Sequence, residues 1–309
     1  MTARPVKPIL VTGAHRSGTT WVGKVIATAP SVGYIHEPFN IAYRPGICGA
    51  HFRHWFTYIS PENEAQYHDQ IKHTLQFSYD IRAKLAVVRS PKDVIRLCRD
   101  SLQFKMARLR RLRPLVKDPI ALFSAEWLAS SFHMDVIVLI RHPAAFTDSL
   151  KRKYWTHPFS HFLEQPLLIR DHLHPFLQEI EDYAAHDHDI IDQAILLWRL
   201  THYMISKYKK AHLDWFFIRH EDLSRQPEQG FREIFHRIGV PWSTRLDAAV
   251  NDYSGPLNPS RLPEQSDSIR RHSRAGIWNW KTTLSQREIT RIRNRTEEIS
   301  AEFYSADDW

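Results

Sequence analysis

The chain has 309 residues, 43% hydrophobic and 25% charged, and its 42 Lys and Arg against 34 Asp and Glu give a net charge of +8. That composition can build a full core, contains no apolar run long enough to span a bilayer, and with only Cys48 and Cys98 excludes a disulfide framework or a cysteine metal site. The basic balance favours anionic partners, without choosing among a small polyanion, a polysaccharide, a membrane surface and a nucleic acid.

In chain order, Met1 to Pro8 is basic, but the apolar Ile9 to Val11 that follows is too short for a signal-peptide core. A cytoplasmic chain without an integral span is therefore expected, with peripheral membrane contact left open. Pro8 to Thr12 is a β-rich run meeting Gly13, and Trp21, Val22, Val25, Ile26 and Ala29 then recur at helical spacing up to Pro30. Lys105 to Arg113 interleaves cations with apolar residues as an amphipathic helix with a solvated face would. Pro114 to Val116, Asp135 to Ile140 and Trp215 to Ile218 are buried-strand patterns, each followed by helix-start chemistry. Asp118 before Pro119 is an N-cap signal, with Ile120, Phe123, Trp127 and Leu128 as the stripe behind it. Ser285 to Glu288 is a capping box for a last helix that buries Ile289, Ile292, Ile299 and Phe303. The alternation predicts an α/β fold, a P-loop-type parallel sheet with helices on both faces. It is read as one domain over residues 1–309, with insertions at about 41–82 and 152–192 that cover the open edge of the sheet where ligands bind.

Gly13 and Gly18 have the spacing of a phosphate-cradling loop, whose backbone N–H groups and helix N-terminus converge on an anion. Nucleoside-triphosphate enzymes need a lysine directly after the second glycine, whereas this chain has Thr19-Thr20 and carries its cation inside the loop as Arg16. That substitution argues against an ATPase or ordinary kinase.

The string Val11-Thr12-Gly13-Ala14-His15-Arg16-Ser17-Gly18-Thr19-Thr20-Trp21 resembles the 5′-phosphosulfate loop of sulfotransferases that use 3′-phosphoadenosine 5′-phosphosulfate (PAPS). The Arg-Ser-Gly-Thr-Thr form is closest in style to the carbohydrate and tyrosylprotein branches. The resemblance implies a fold of the P-loop type and PAPS as sulfonyl donor, with Arg16, Ser17, Gly18, Thr19 and Thr20 around its 5′ end. Arg141, after the strand Asp135 to Ile140, and Ser149 eight residues later are similar to the family's 3′-phosphate motif. Arg270 to Trp278 resembles the late segment that closes over the nucleotide, with Arg274 as its expected contact. Arg219-His220-Glu221-Asp222 lacks the tyrosine that often touches the adenine.

Sulfonyl transfer needs in-line approach, a base for the acceptor proton and cations for the migrating charge. It needs no metal, and none is expected. Tyr34 to Asn40 returns to the ligand end of the sheet and offers Glu37 as base, with His36 as the alternative, its reference pKa being nearer neutrality. Carbohydrate and tyrosylprotein sulfotransferases have a glutamate at about the Glu37 position, and Lys117-Asp118-Pro119 resembles a tyrosylprotein segment whose lysine lies beside the transferred group. The expected catalytic set is thus Glu37, Lys117 and Arg16, and the expected partner a hydroxyl-bearing saccharide or glycolipid. Tyrosylprotein or small-molecule acceptors, a P-loop phosphotransferase and an anion-binding module are the alternatives; no nucleic-acid partner is expected, since no nucleic-acid-binding signature accompanies the charge.

Overall fold

The computed structural model describes residues 7–42, 45–259 and 269–309, so residues 1–6 of the basic N-terminal stretch lie outside the described residues. Five strands, β1 (Ile9–Gly13), β2 (Val32–His36), β3 (Arg113–Lys117), β4 (Asp135–Ile140) and β5 (Phe216–Arg219), form one sheet in the order β2-β3-β1-β4-β5. Every pairing is parallel.

β1 is central and wholly buried, which is why its sequence is an unbroken apolar run. Ile9 and Val11 pack with Leu115, Ile137 and Leu139 against the helices Thr19–Ile26 and Pro227–Arg237. Leu10 faces the other way, with Val116, Val136, Val138 and Ile140, onto the helices Ala125–Phe132 and Ile190–Ala211. Period-two alternation thus builds a core on each face of the sheet, giving the expected α/β architecture.

β2 is an edge strand that the sequence pattern left unassigned. It contains Gly33, where a Cβ would come 2.4 Å from the ring of Phe77, so the glycine admits the layer above at the cost of a strand signal. The basic stretch also differs from expectation. Its helix starts earlier, at Pro91 behind a Ser90 cap, and stops at Leu109. Arg113 is not on that helix but opens β3, buried, where its guanidinium donates to the carbonyls of Lys7 and Ile238 and to Asp135. Asp118 is expected as an N-cap, but a 3-10 turn, Ile120–Ser124, whose cap position is Pro119, comes before the α-helix; Asp118 Oδ1 accepts the Ile120 N–H at 2.9 Å. Ser285 and Glu288 form the capping box of Gln286–Ser300.

Residues 45–82 and 152–189 fold as short helices and turns that pack on each other. Tyr58 N–H donates to Gln165 at 2.8 Å, Trp55 N–H donates to His161 at 3.0 Å, and Phe56 stacks on Phe162. All five strands point their C-terminal ends the same way, and the chain leaves β1 toward β2 on one side and reaches β4 on the other. The crevice at that divergence is where an α/β sheet binds ligands.

Gly13 makes the tightest approach to neighbouring backbone. Its φ is +138°, and an added Cβ would lie 2.3 Å from the Leu139 carbonyl oxygen of β4. Gly13→Ala is expected to lower unfolding free energy by roughly 2–4 kcal/mol, from backbone strain plus overpacking, as a shift in the midpoint of urea denaturation.

Candidate active site

The loop after β1 turns through Arg16, at φ 64°, and Gly18, at φ 94°, before the helix Thr19–Ile26. Ser17 is fully buried and its hydroxyl donates to the Ala14 carbonyl at 2.5 Å, so it fastens the loop rather than facing the cavity. Arg16, Gly18, Thr19 and Thr20 do line the cavity, a space of about 460 Å³. The first N–H groups of the helix have no intrahelical acceptor and carry the positive end of its dipole.

Four guanidiniums converge beyond this loop. Arg16, Arg141, Arg152 and Arg271 all line the cavity, as does Ser149, whose hydroxyl accepts from Arg16 Nε at 2.9 Å. Burial lowers the Arg16 pKa, and Arg141 and Arg152 add to the effect by repulsion. Arg271 is pushed down to about 10 by burial and then by Arg16, Arg141 and Arg152. Arg152 is held by Asp148 at 3.0 Å, and Arg141 Nε lies 3.6 Å from Glu221, too far to hydrogen-bond, and is buried without an acceptor. Among the described residues, neither Arg16 nor Arg271 is ion-paired to a carboxylate. Cations gathered out of water beyond the local supply of anions make a site for a polyanion.

The end of β4 is clamped to present Arg141. Its carbonyl accepts from Trp198 Nε1 at 2.8 Å, and Glu221, fixed by the Tyr304 hydroxyl at 2.9 Å, accepts the next N–H, that of His142. Pro143–Lys153 follows as a helix, capped by His142, which burial keeps neutral with a pKa near 3. Ser149 and Arg152 are one turn apart on it.

On the other side of β1, the β2–β3 register pairs His36 with Lys117 and so delivers Glu37 to the end of β3. Glu37 N–H donates to the Lys117 carbonyl at 2.9 Å, and the Lys117 ammonium donates to Glu37 Oε1. Asn40 donates to Oε2 at 3.1 Å. Burial would raise the Glu37 pKa, but Lys117, His36 and these hydrogen bonds outweigh it and hold the carboxyl below 4.5. Glu37 has φ 46°, one of three non-glycine residues at the cavity wall with positive φ, the others being Arg16 and Phe56. Lys117 is fully buried behind Glu37. Its stem passes under Gly23, where a Cβ would come 2.8 Å from Lys117 Cγ. Asp118 Oδ2 accepts the Phe39 N–H at 2.7 Å and so ties the Glu37 loop to β3. Its own pKa is pushed up to about 7, by burial and then by Glu37.

The cavity wall also carries Trp55, Phe56 and Trp155 along with Asn40 and Ile120, and Arg16 lies over the Trp155 ring. His15 sits among Phe56, Phe146 and Trp155, and burial keeps it neutral with a pKa near 3. At the far end, Trp21, His220 and Tyr253 supply flat faces.

Arg274, like Ser17, is an expected contact that points elsewhere. Its Nε donates to the Arg225 carbonyl at 2.6 Å, and it does not line the cavity, whereas Arg271, three residues earlier, does. Arg152 was also missed, although its place one turn after Ser149 is readable from helical spacing. Among the described residues no group of three or more His, Cys, Asp or Glu is placed to hold a metal ion.

The sequence profile of the sulfotransferase family matches residues 8–244. The chain belongs to the sulfotransferase family. Solved structures of similar shape include the sulfotransferase domain of the curacin biosynthetic pathway, 13% identical over 96% of this chain and 99% of that one, with a TM-score of 0.47. The sulfotransferase domain of the Synechococcus PCC 7002 olefin synthase is 14% identical over 99% and 98%, with a TM-score of 0.49. A mouse sulfotransferase complexed with PAP is 13% identical over 97% and 85%, at 0.43. No curated protein sequence matches the chain.

For this sulfotransferase the packing of Gly23 on Lys117 makes a test of the ion pair. Gly23→Ala is expected to displace the lysine stem and lower kcat about 10-fold or more while leaving nucleotide affinity within a few-fold. Steady-state kinetics with parallel calorimetry separates the two effects.

Proposed function

We propose that this sulfotransferase moves a sulfonyl group from PAPS to an acceptor hydroxyl. The convergence of Arg16, Arg141, Arg152 and Arg271 on one cavity with the phosphate loop is the observation that carries this reading. A nucleotide phosphorylated at both its 5′ and 3′ ends supplies the separated anions that such a cluster requires. Arg16 and the loop N–H groups suit the 5′ end, Arg141, Ser149 and Arg271 the 3′-phosphate, and Trp21, His220 and Tyr253 the purine between walls. The expected donor contact at Arg274 passes to Arg271 on this reading.

The donor brings an activated sulfonyl group. Glu37, ionised at neutral pH, takes the proton from the acceptor hydroxyl as its oxygen attacks sulfur. The bond between sulfur and the 5′-phosphate oxygen breaks, leaving its electron pair on the phosphate. Lys117, buried behind Glu37, keeps the carboxylate ionised and oriented; Arg16 holds the leaving phosphate. The aromatic wall of Trp55, Phe56 and Trp155, on the same cavity as Glu37 and Asn40, suits the flat apolar face of a sugar ring with its hydroxyl edge on the polar pair, which supports a saccharide or glycolipid acceptor.

Calorimetric titration with 3′-phosphoadenosine 5′-phosphate (PAP) against ATP plus magnesium tests the donor. PAP is expected to bind at least 10-fold more tightly, and preferential binding of ATP would overturn the assignment. Arg271→Ala should weaken PAP by roughly 10- to 100-fold, the cost of losing a buried charge-assisted contact, while Arg274→Ala should change it less than threefold.

Glu37→Gln is expected to reduce kcat about 10²-fold or more with PAP affinity nearly intact. The pH profile separates the two candidate bases. Because the Glu37 carboxyl is held below 4.5, it stays ionised from neutrality downward, and the acidic limb of kcat should lie below pH 4.5. An acidic limb well above pH 4.5 would take the role away from Glu37.

A further inference from the structure

The whole charge excess of the chain sits in one surface element. Residues 81–111 hold ten Lys and Arg against two Asp, while the rest of the chain carries 32 basic and 32 acidic residues. The two acids are taken up locally: Asp93 lies 3.8 Å from Arg96, and Asp100 2.8 Å from Arg99. Lys92, Lys105, Arg108, Arg110 and Arg111 have no ion pair among the described residues.

The helix Pro91–Leu109 has two apolar faces. Phe104 and Ala107 are buried, Phe104 against Phe77 and Tyr79, and they anchor the helix beside the edge strand β2. Ile95, Cys98, Leu102, Met106 and Leu109 recur every three or four residues on the opposite side and are exposed, Ile95 by 68%, Leu102 by 60% and Leu109 by 67%. Counting 3.6 residues per turn, Lys92, Arg96, Arg99 and Arg110 border this stripe on one side, and Lys105 and Arg108 on the other. Ile81, Leu85 and Val87 extend the exposed apolar surface through the preceding short helix.

We propose that this face docks on an anionic lipid surface, with the helix lying in the plane of the headgroups. The stripe would enter the acyl boundary, while the bordering Lys and Arg side chains snorkel to lipid phosphates. Charge selects this occupant. A second copy would set ten cations against ten. A nucleic acid would engage the cations and leave the apolar stripe in water. A bilayer with negative headgroups satisfies both parts, at about 1 kcal/mol per surface-proximal Lys or Arg before screening. The described helices include none long and apolar enough to cross a membrane, so the contact is peripheral. The inference is independent of the donor assignment, because PAP binding is measured without lipid.

Co-sedimentation of the full chain with phosphatidylcholine vesicles, with and without phosphatidylglycerol, tests it. Binding is expected to the mixed vesicles only, and to weaken as NaCl is raised. Ile95→Ser with Leu102→Ser should reduce that binding at least tenfold while far-UV circular dichroism and PAP affinity stay unchanged. Arg96→Gln with Arg99→Gln, which leaves the stripe intact, should reduce it severalfold. Absence of binding to the mixed vesicles would overturn the proposal, as would binding unaffected by the serine pair, which would reduce it to nonspecific attraction by a basic protein. Sedimentation velocity should show a monomer without lipid; a dimer dissociated by the serine pair would assign the face to a second copy.

Discussion

The site is organised by a repulsion. Arg141 and Arg152 repel the charge on Arg16, and these three repel that on Arg271, in a cavity where burial already disfavours both charges. Left to itself such an arrangement would swing apart into solvent. It persists because three of the arginines are held by parts of the fold with other reasons to be where they are. Arg16 is locked by the loop between Gly13 and Gly18, Arg141 by the clamp of Trp198 and Glu221 on the end of β4, and Arg152 by Asp148 on the same helix. The fold therefore carries a concentrated positive field into binding, and an anionic ligand relieves it.

The opposite wall is organised by an attraction. The parallel register of β2 and β3 sets Glu37 beside Lys117, and the pair then determines each other's state: the ammonium keeps the carboxyl ionised, and the carboxylate compensates a lysine with no exposed surface. Gly23 leaves room for the lysine stem, and Asp118 ties the Glu37 loop to the strand. A carboxylate backed by a buried cation thus lies on the cavity with the arginine cluster.

Much of this was legible in the sequence, for reasons that can be stated. β1, β3 and β4 are largely buried, so each wrote a short apolar run, β5 is half-buried at the other edge but keeps Trp215 to Ile218 uninterrupted by glycine, and the phosphate loop wrote its two glycines. β2 was not legible because Gly33 and its edge position dilute the pattern. The ion pair of Glu37 with Lys117 depends on strand register, which no local spacing encodes. Arg271 and Arg274 share a segment of loop, and only the tertiary hydrogen bond from Arg274 to the Arg225 carbonyl separates them. His220 is invisible for a related reason: it packs against Gly18, where a Cβ would meet its ring at 2.5 Å, a contact between residues two hundred positions apart. The basic stretch was read as a helix with a solvated face, but its outward apolar stripe emerged only once Phe104 and Ala107 were seen to take the core side.

The central claim is that the guanidinium cluster is built for two separated phosphates on one nucleotide. Calorimetric titration of PAP and of adenosine 5′-phosphate, at equal ionic strength, tests it most directly. The account predicts that removing the 3′-phosphate weakens binding by about 10²-fold, on the scale of a lost bidentate, charge-assisted contact. Equal affinity for the two nucleotides would contradict it.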